Sequence, residues 1–144
     1  VLHGRPESST GECVSQVREH HGQDAALWQA FADCTHRMEA DLVEGADAKE
    51  VIRENQRLLE RIGVVPAATQ QFIKELESVG AAAKICGAGS VSGDHGGAIL
   101  VNADDPEALK QVMAGYPDLS WSNLQMAETG AAVGPAPSHL EAAQ

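Results

Sequence analysis

Positive charge is what this sequence has least of. Lys and Arg number 10 against 21 Asp and Glu, a formal net charge of −11 over 144 residues. A surface this acidic repels nucleic acid phosphates and anionic lipid, which excludes nucleic acid and membrane as expected partners. Any anionic substrate must therefore be held by local donors. Long hydrophobic runs are missing too: none approaches membrane-spanning length, and the N-terminus shows no signal-peptide pattern. The second absence says little, because the chain starts at Val1 without a methionine and reads as a fragment. Cysteine is sparse, with Cys13, Cys34 and Cys86 in an odd count and no paired spacing. That suits a reducing cytosol better than a disulfide framework, so the expected location is cytoplasmic. Of six histidines only His20 and His21 are adjacent, and neighbours on a helix point to different sides. No metal site is expected from them.

Against these absences stands one glycine-rich stretch, Lys84 to Val101, with Gly87, Gly89, Gly93, Gly96 and Gly97 between two short apolar runs. It reads as strand, loop, strand. Glycines permit positive φ and close approach of another backbone or a phosphate, and successive free N–H groups can form an anion-binding hollow. The spacing matches neither the phosphate loop ending in Gly-Lys-Ser/Thr nor the dinucleotide fingerprint, because no helix starts after the last glycine. A plain hairpin turn explains the glycines as well.

Along the chain, Ser9 and Glu12 have capping-box spacing for a helix starting near Thr10, with Val14 and Val17 as its apolar face. Asp24 caps a second helix, whose Leu27, Phe31, Cys34, Met38 and Leu42 predict one buried stripe ended by Gly45. Asp47 and Glu50 repeat the cap spacing for a third, carrying Val51, Ile52, Leu58, Leu59 and Ile62. Asn55 interrupts that stripe, either as a satisfied core amide or as a group facing a ligand cleft. A fourth helix follows Pro66 with Phe72, Ile73, Leu76 and Val79, and Gly80 stops it. Asp105-Pro106 opens a fifth with Leu109, Val112, Met113 and Tyr116. Leu119–Met126 predicts an edge strand, and Gly, Ala and Pro from 130 onward predict a frayed tail over 130–144 after one domain at 1–129. Strand, helices, strand, strand, helix, strand is an α+β order: a ferredoxin-like split βαβ sandwich of about four antiparallel strands, with extra helices between the first two and the helices packed on one face.

Three blocks carry a resemblance. Lys84-Ile85-Cys86-Gly87-Ala88-Gly89 resembles the third motif of the GHMP small-molecule kinases. Asn55 to Val64 resembles the helix that precedes this motif in the mevalonate kinase branch, and Gly4 to Glu12 resembles the strand-to-helix turn that begins the C-terminal half of those enzymes. The resemblance implies a ferredoxin-like C-terminal domain that phosphorylates nothing alone. Its partner would be an N-terminal kinase domain of the same protein, and its cofactors ATP and Mg²⁺ in the intact enzyme. The small-molecule substrate would be mevalonate, with phosphomevalonate or homoserine as variants. It further implies nucleotide contacts at Gly87, Ala88, Gly89 and Ser90 and a substrate side formed by Ser8, Ser9, Thr10 and Asn55. Ser9 is equally explained as a helix cap. Two departures stand out: Cys86 replaces the usual hydroxyl residue, and Ser90 to His95 is an insertion. Asp94 and His95 read as a solvent-facing turn, with Mg²⁺ ligation and phosphate donation as the alternatives. Lys84 reads either as a surface lysine or as one reaching the cleft. An orphan half-domain should also show an apolar face able to drive homodimerisation. The rival class is a non-catalytic ferredoxin-like regulatory module.

Overall fold

Side-chain caps open three of the five helices in the computed structural model, which describes residues 1–125. The order is β1 (Leu2–His3), α1 (Thr10–His21), α2 (Ala25–Glu44), α3 (Lys49–Arg61), α4 (Ala67–Ser78), β2 (Ala82–Ile85), β3 (Gly97–Asn102) and α5 (Pro106–Ala114). Ser9 and Glu12 form the full reciprocal box at α1: the Glu12 N–H donates to Ser9 Oγ at 3.2 Å and the Ser9 N–H to Glu12 Oε2 at 2.6 Å. Asp24 accepts from the Leu27 N–H, and Asp105 accepts from the Glu107 and Ala108 N–H groups behind Pro106. Helix α3 departs from its expected cap. Ala48 holds the cap position and makes no side-chain bond there. Asp47, one residue earlier, still accepts the first N–H of the helix, that of Lys49, at 3.0 Å, and also accepts from Lys49 Nζ at 2.9 Å.

The protein is α+β. Strand β3 lies between β1 and β2, and both pairings are antiparallel, with Leu2 opposite Ala98 and Lys84 opposite Leu100. On the far side of β1 the predicted strand at 119–126 shrinks to one bridge among the described residues, Leu2 to Ser120. With β1 only two residues long and Asn123 breaking the alternation, there is little ladder to extend. Met126 and the expected tail at 130–144 lie outside the described residues.

Side chains alternate across β2 and divide the core. Ala83 and Ile85 join Phe72, Ile73 and Leu76 of α4, Met113 of α5 and Cys13 of α1. Ala82 joins Leu27 and Cys34 of α2 and Val51, Ile52 and Leu58 of α3. Helices thus flank β2 on both sides, where a one-sided layer was expected, because α3 is bound to the outer edge of this strand. The Cys86 N–H donates to Ala98 O across the ladder, so the alternate N–H of Ile85 points off the sheet, and Gln56 Oε1 accepts it at 3.0 Å. Arg53 ties the same edge through the Ala81 carbonyl at 2.9 Å. Edge protection of this kind blunts unwanted strand pairing.

Two stripes differ from expectation. On α1 the buried residue is Cys13, with Val17 packed beside it, whereas Val14 is 48 % exposed, one step off the inward face. On α2 burial stops short: Leu27 and Cys34 are sealed but Leu42 is 51 % exposed, leaving the last turns of the stripe open. A second open apolar area lies where Leu2, Ala98, Leu100, Trp121 and Leu124 surround a hollow of about 430 Å³. No helix among the described residues is long and apolar enough to cross a membrane.

Candidate functional site: the glycine loop and the start of α1

The loop leaving β2 turns on two glycines in the left-handed region, Gly87 at φ 80° and Gly89 at φ 67°. Gly89 has no alternative. A Cβ there would run into the Val64 carbonyl oxygen and the Ile85 side chain. That proximity lets the Ser90 N–H donate to Val64 O at 2.9 Å, which pins the loop to the α3–α4 connection. The Cys13 thiol of α1 faces Gly89 O at 3.8 Å, so the loop and the first turn of α1 are in contact.

Serine hydroxyls bind the loop to the turn before α1. Ser90 is 1 % exposed. Its Oγ accepts the Ser8 N–H at 3.0 Å and lies within donating reach of Ser92 O at 2.7 Å and Ser8 Oγ at 3.1 Å. Ser8 Oγ in turn accepts the Val91 N–H at 3.2 Å and shares a bond with Ser92 Oγ at 2.7 Å. The structure therefore brings Ser8 and Ser90 together, with Ser9 and Thr10 next to them. Ser9 caps α1, and Thr10 is exposed at its first position. Residues 87 and 88 form a turn that directs the Gly89 N–H toward the Cys86 carbonyl, and the N–H groups of Gly87 and Ala88 meet no protein acceptor among the described residues.

The rest of the loop up to His95 is anchored as well. Thr69 Oγ1 donates to Asp94 O at 3.3 Å and approaches His3 Nδ1 at 3.3 Å. The Asp94 N–H donates to Glu7 Oε1 at 3.3 Å, and His95 Nδ1 stands 3.6 Å from the same carboxylate. Burial pushes the His3 imidazole below its ordinary pKa, with nearby His95 adding to the shift and a backbone hydrogen bond opposing it. Glu12 is held below the usual carboxylate range, chiefly by the Ser9 N–H it accepts. The positive end of α1 is thus already met by a carboxylate.

A bound polyphosphate fits this surface only in part. The free backbone donors at Gly87 and Ala88 suit phosphate oxygens, but Ser8 and Ser90 are committed to each other and the Glu7 and Glu12 carboxylates stand at the same end. No group of three His, Cys, Asp or Glu able to hold a metal exists among the described residues, so a Mg²⁺ ion here would take most of its ligands from phosphate oxygens and water.

Asn55 does not join the loop. It lies with Lys84 in a separate groove between α2 and α3, of about 530 Å³. The buried amide of α3 is its neighbour Gln56, at 0 % exposure, which the sequence reading missed. A signal for it was present: Ile52, Gln56 and Leu59 repeat at i, i+4, i+7, the spacing of a buried face.

No protein-family model matches the chain, and no match is found among curated proteins. Among solved structures, the Lin0012 protein from Listeria innocua is similar in fold, with a TM-score of 0.63 at 20 % identity over 81 % of this chain. The matched region makes up 34 % of that protein, so this chain spans about a third of its length.

Proposed function

We propose that this chain is the C-terminal, ferredoxin-like domain of an ATP-dependent small-molecule kinase of the GHMP type. Its acceptor is the mevalonate hydroxyl, and the phosphate loop and catalytic groups are supplied by an N-terminal domain of the same polypeptide. The observation that carries the reading is the turn at Gly87–Gly89. Its two left-handed glycines and the N–H groups of Gly87 and Ala88, without protein acceptors among the described residues, lie against the first turn of α1, where the motif resemblance expects one wall of a nucleotide cleft. Strand order supports the ferredoxin-like part: β2, β3, β1 and then Ser120 is the sequence of neighbours that a split βαβ sheet would have. Phosphoryl transfer depends chiefly on positioning and charge neutralisation. In this reading the chain contributes backbone donors and shape, and Mg²⁺ is held elsewhere.

The test is a screen for ATP- and Mg²⁺-dependent phosphorylation with the polypeptide that extends upstream of Val1 and with residues 1–144 alone. Transfer to mevalonate by the former and none by the latter is expected. Turnover by the 144-residue chain, or an extended protein that phosphorylates no alcohol, defeats the proposal. A second reading, a non-catalytic regulatory module, is favoured by the internal commitment of Ser8 and Ser90; an upstream sequence without a glycine-serine phosphate loop selects it.

A further inference from the structure

The groove between α2 and α3 is left unused by the phosphotransfer reading. Its volume of about 530 Å³ falls in the range of small-molecule sites, roughly 300–1,000 Å³. One wall is a straight line on α2: Cys34, Met38 and Leu42, four residues apart, extend for about 12 Å at the helical rise. Val51 and Ile52 of α3 form the opposite wall, so the long axis is apolar on both sides.

Two polar groups interrupt it. Lys84 enters from β2, on the same side of the strand as Ala82, and is the only cation on the lining. Its ammonium has no carboxylate partner among the described residues, although acidic groups outnumber basic ones about two to one across the chain. Asn55 is half-buried, and its amide makes no hydrogen bond among the described residues. Glu39 also lines the groove but is exposed. An amide beside apolar walls favours a bonded partner, and a cation with an amide donor is the complement of an anionic head group.

We propose that the α2–α3 groove binds a single-chain amphiphile with an anionic head group, its chain lying along Cys34, Met38 and Leu42 and its head on Lys84 and Asn55. The site is independent of the glycine loop, and its occupancy does not require the kinase reading to hold. Carboxylate and phosphate heads share the required chemistry, and the probes separate them.

Titration calorimetry of the 144-residue chain with decanoate, decyl phosphate and decanol, below their aggregation limits, tests this directly. At least one anion binds one to one and decanol binds roughly tenfold more weakly or worse. The tighter of the two anions names the head group. Lys84→Met keeps the aliphatic stem and removes the charge, weakening the anion by roughly tenfold while leaving decanol unchanged. Asn55→Leu, on a half-exposed helix position that tolerates the change, does the same to a lesser degree. Met38→Trp fills the trough and abolishes binding of all three, with thermal unfolding confirming that each variant is folded. Failure of both anions to bind the wild-type chain overturns the proposal. So does equal affinity for decanol, or an anion affinity unchanged in Lys84→Met.

Discussion

Replacing Gln56 by Leu is the sharpest stability test of this architecture. The wild-type side chain does two things at 0 % exposure: Oε1 accepts the Ile85 N–H at 3.0 Å, and Nε2 donates to Glu60 Oε1 at 3.0 Å. Leucine keeps the volume and adds apolar contact, so the cost falls on the orphaned groups. Glu60 retains Arg57 at 2.8 Å and loses little. The Ile85 N–H has no other acceptor and is cut off from water by α3, which costs about 1–3 kcal/mol for a buried unsatisfied donor. A loss near 2 kcal/mol corresponds to a fall in Tm of roughly 5–10 °C for a domain of this size. Urea unfolding measures the first quantity, and hydrogen exchange at the Ile85 amide measures the mechanism, since the edge of β2 should open before the β2–β3 ladder. A variant within about 0.5 kcal/mol of wild type, the ordinary range for substitutions away from such features, would refute the edge-clamp account.

The two loop glycines separate backbone preference from packing. Gly87→Ala meets open space and bears only the left-handed penalty of about 1–2 kcal/mol, whereas Gly89→Ala also collides with the Val64 carbonyl, so its loss in chemical denaturation should be clearly larger. Equal losses would contradict the packing of the loop under that carbonyl. Tyr116 is the only tyrosine, so absorbance at alkaline pH reports it alone. Burial, reinforced by its hydrogen bond to Glu75 Oε2 at 2.7 Å, raises its pKa to about 12. The stabilisation linked to this shift is complete below pH 10 and disappears as pH climbs to about 12, and Glu75→Gln should bring the titration midpoint down. His3 works in the opposite sense: its pKa is lowered by burial, so its contribution is present above pH 6.5 and is lost as pH falls below that value. An acid unfolding midpoint unmoved in His3→Gln would count against a buried neutral ring.

Local chemistry was the most legible part of the sequence. Ser9 with Glu12, Asp24 and Asp105-Pro106 each cap the helix that their spacing predicts, because a cap is decided within four residues. The third cap is offset by one residue: Asp47 accepts the Lys49 N–H from the position before Ala48, and the Lys49 ammonium ties Asp47 to Asp104, which lies 55 positions beyond Lys49 and 2.7 Å from its Nζ. Apolar periodicity found every helix but not how far each face is covered. The α2 stripe reads as uniform, yet its burial depends on where α3 and β2 stop, so Leu42 and Lys84 were not visible as the walls of a groove. In the loop, glycine content identified the turn, whereas the pairing of Ser8 with Ser90 across 82 positions needed the fold. Asn55 drew attention as a lone amide on an apolar stripe, and one residue further along, Gln56 was the amide that the sheet edge required.

The proposed kinase role requires the Gly87–Gly89 backbone to touch nucleotide. Amide chemical shifts of those residues, followed in the polypeptide extended upstream of Val1 as ATP and Mg²⁺ are added, answer that directly. The N–H groups of Gly87, Ala88 and Gly89 should move on binding while the amide of Asn55, in its separate groove, stays in place. Nucleotide bound with the three loop amides unmoved would contradict the account.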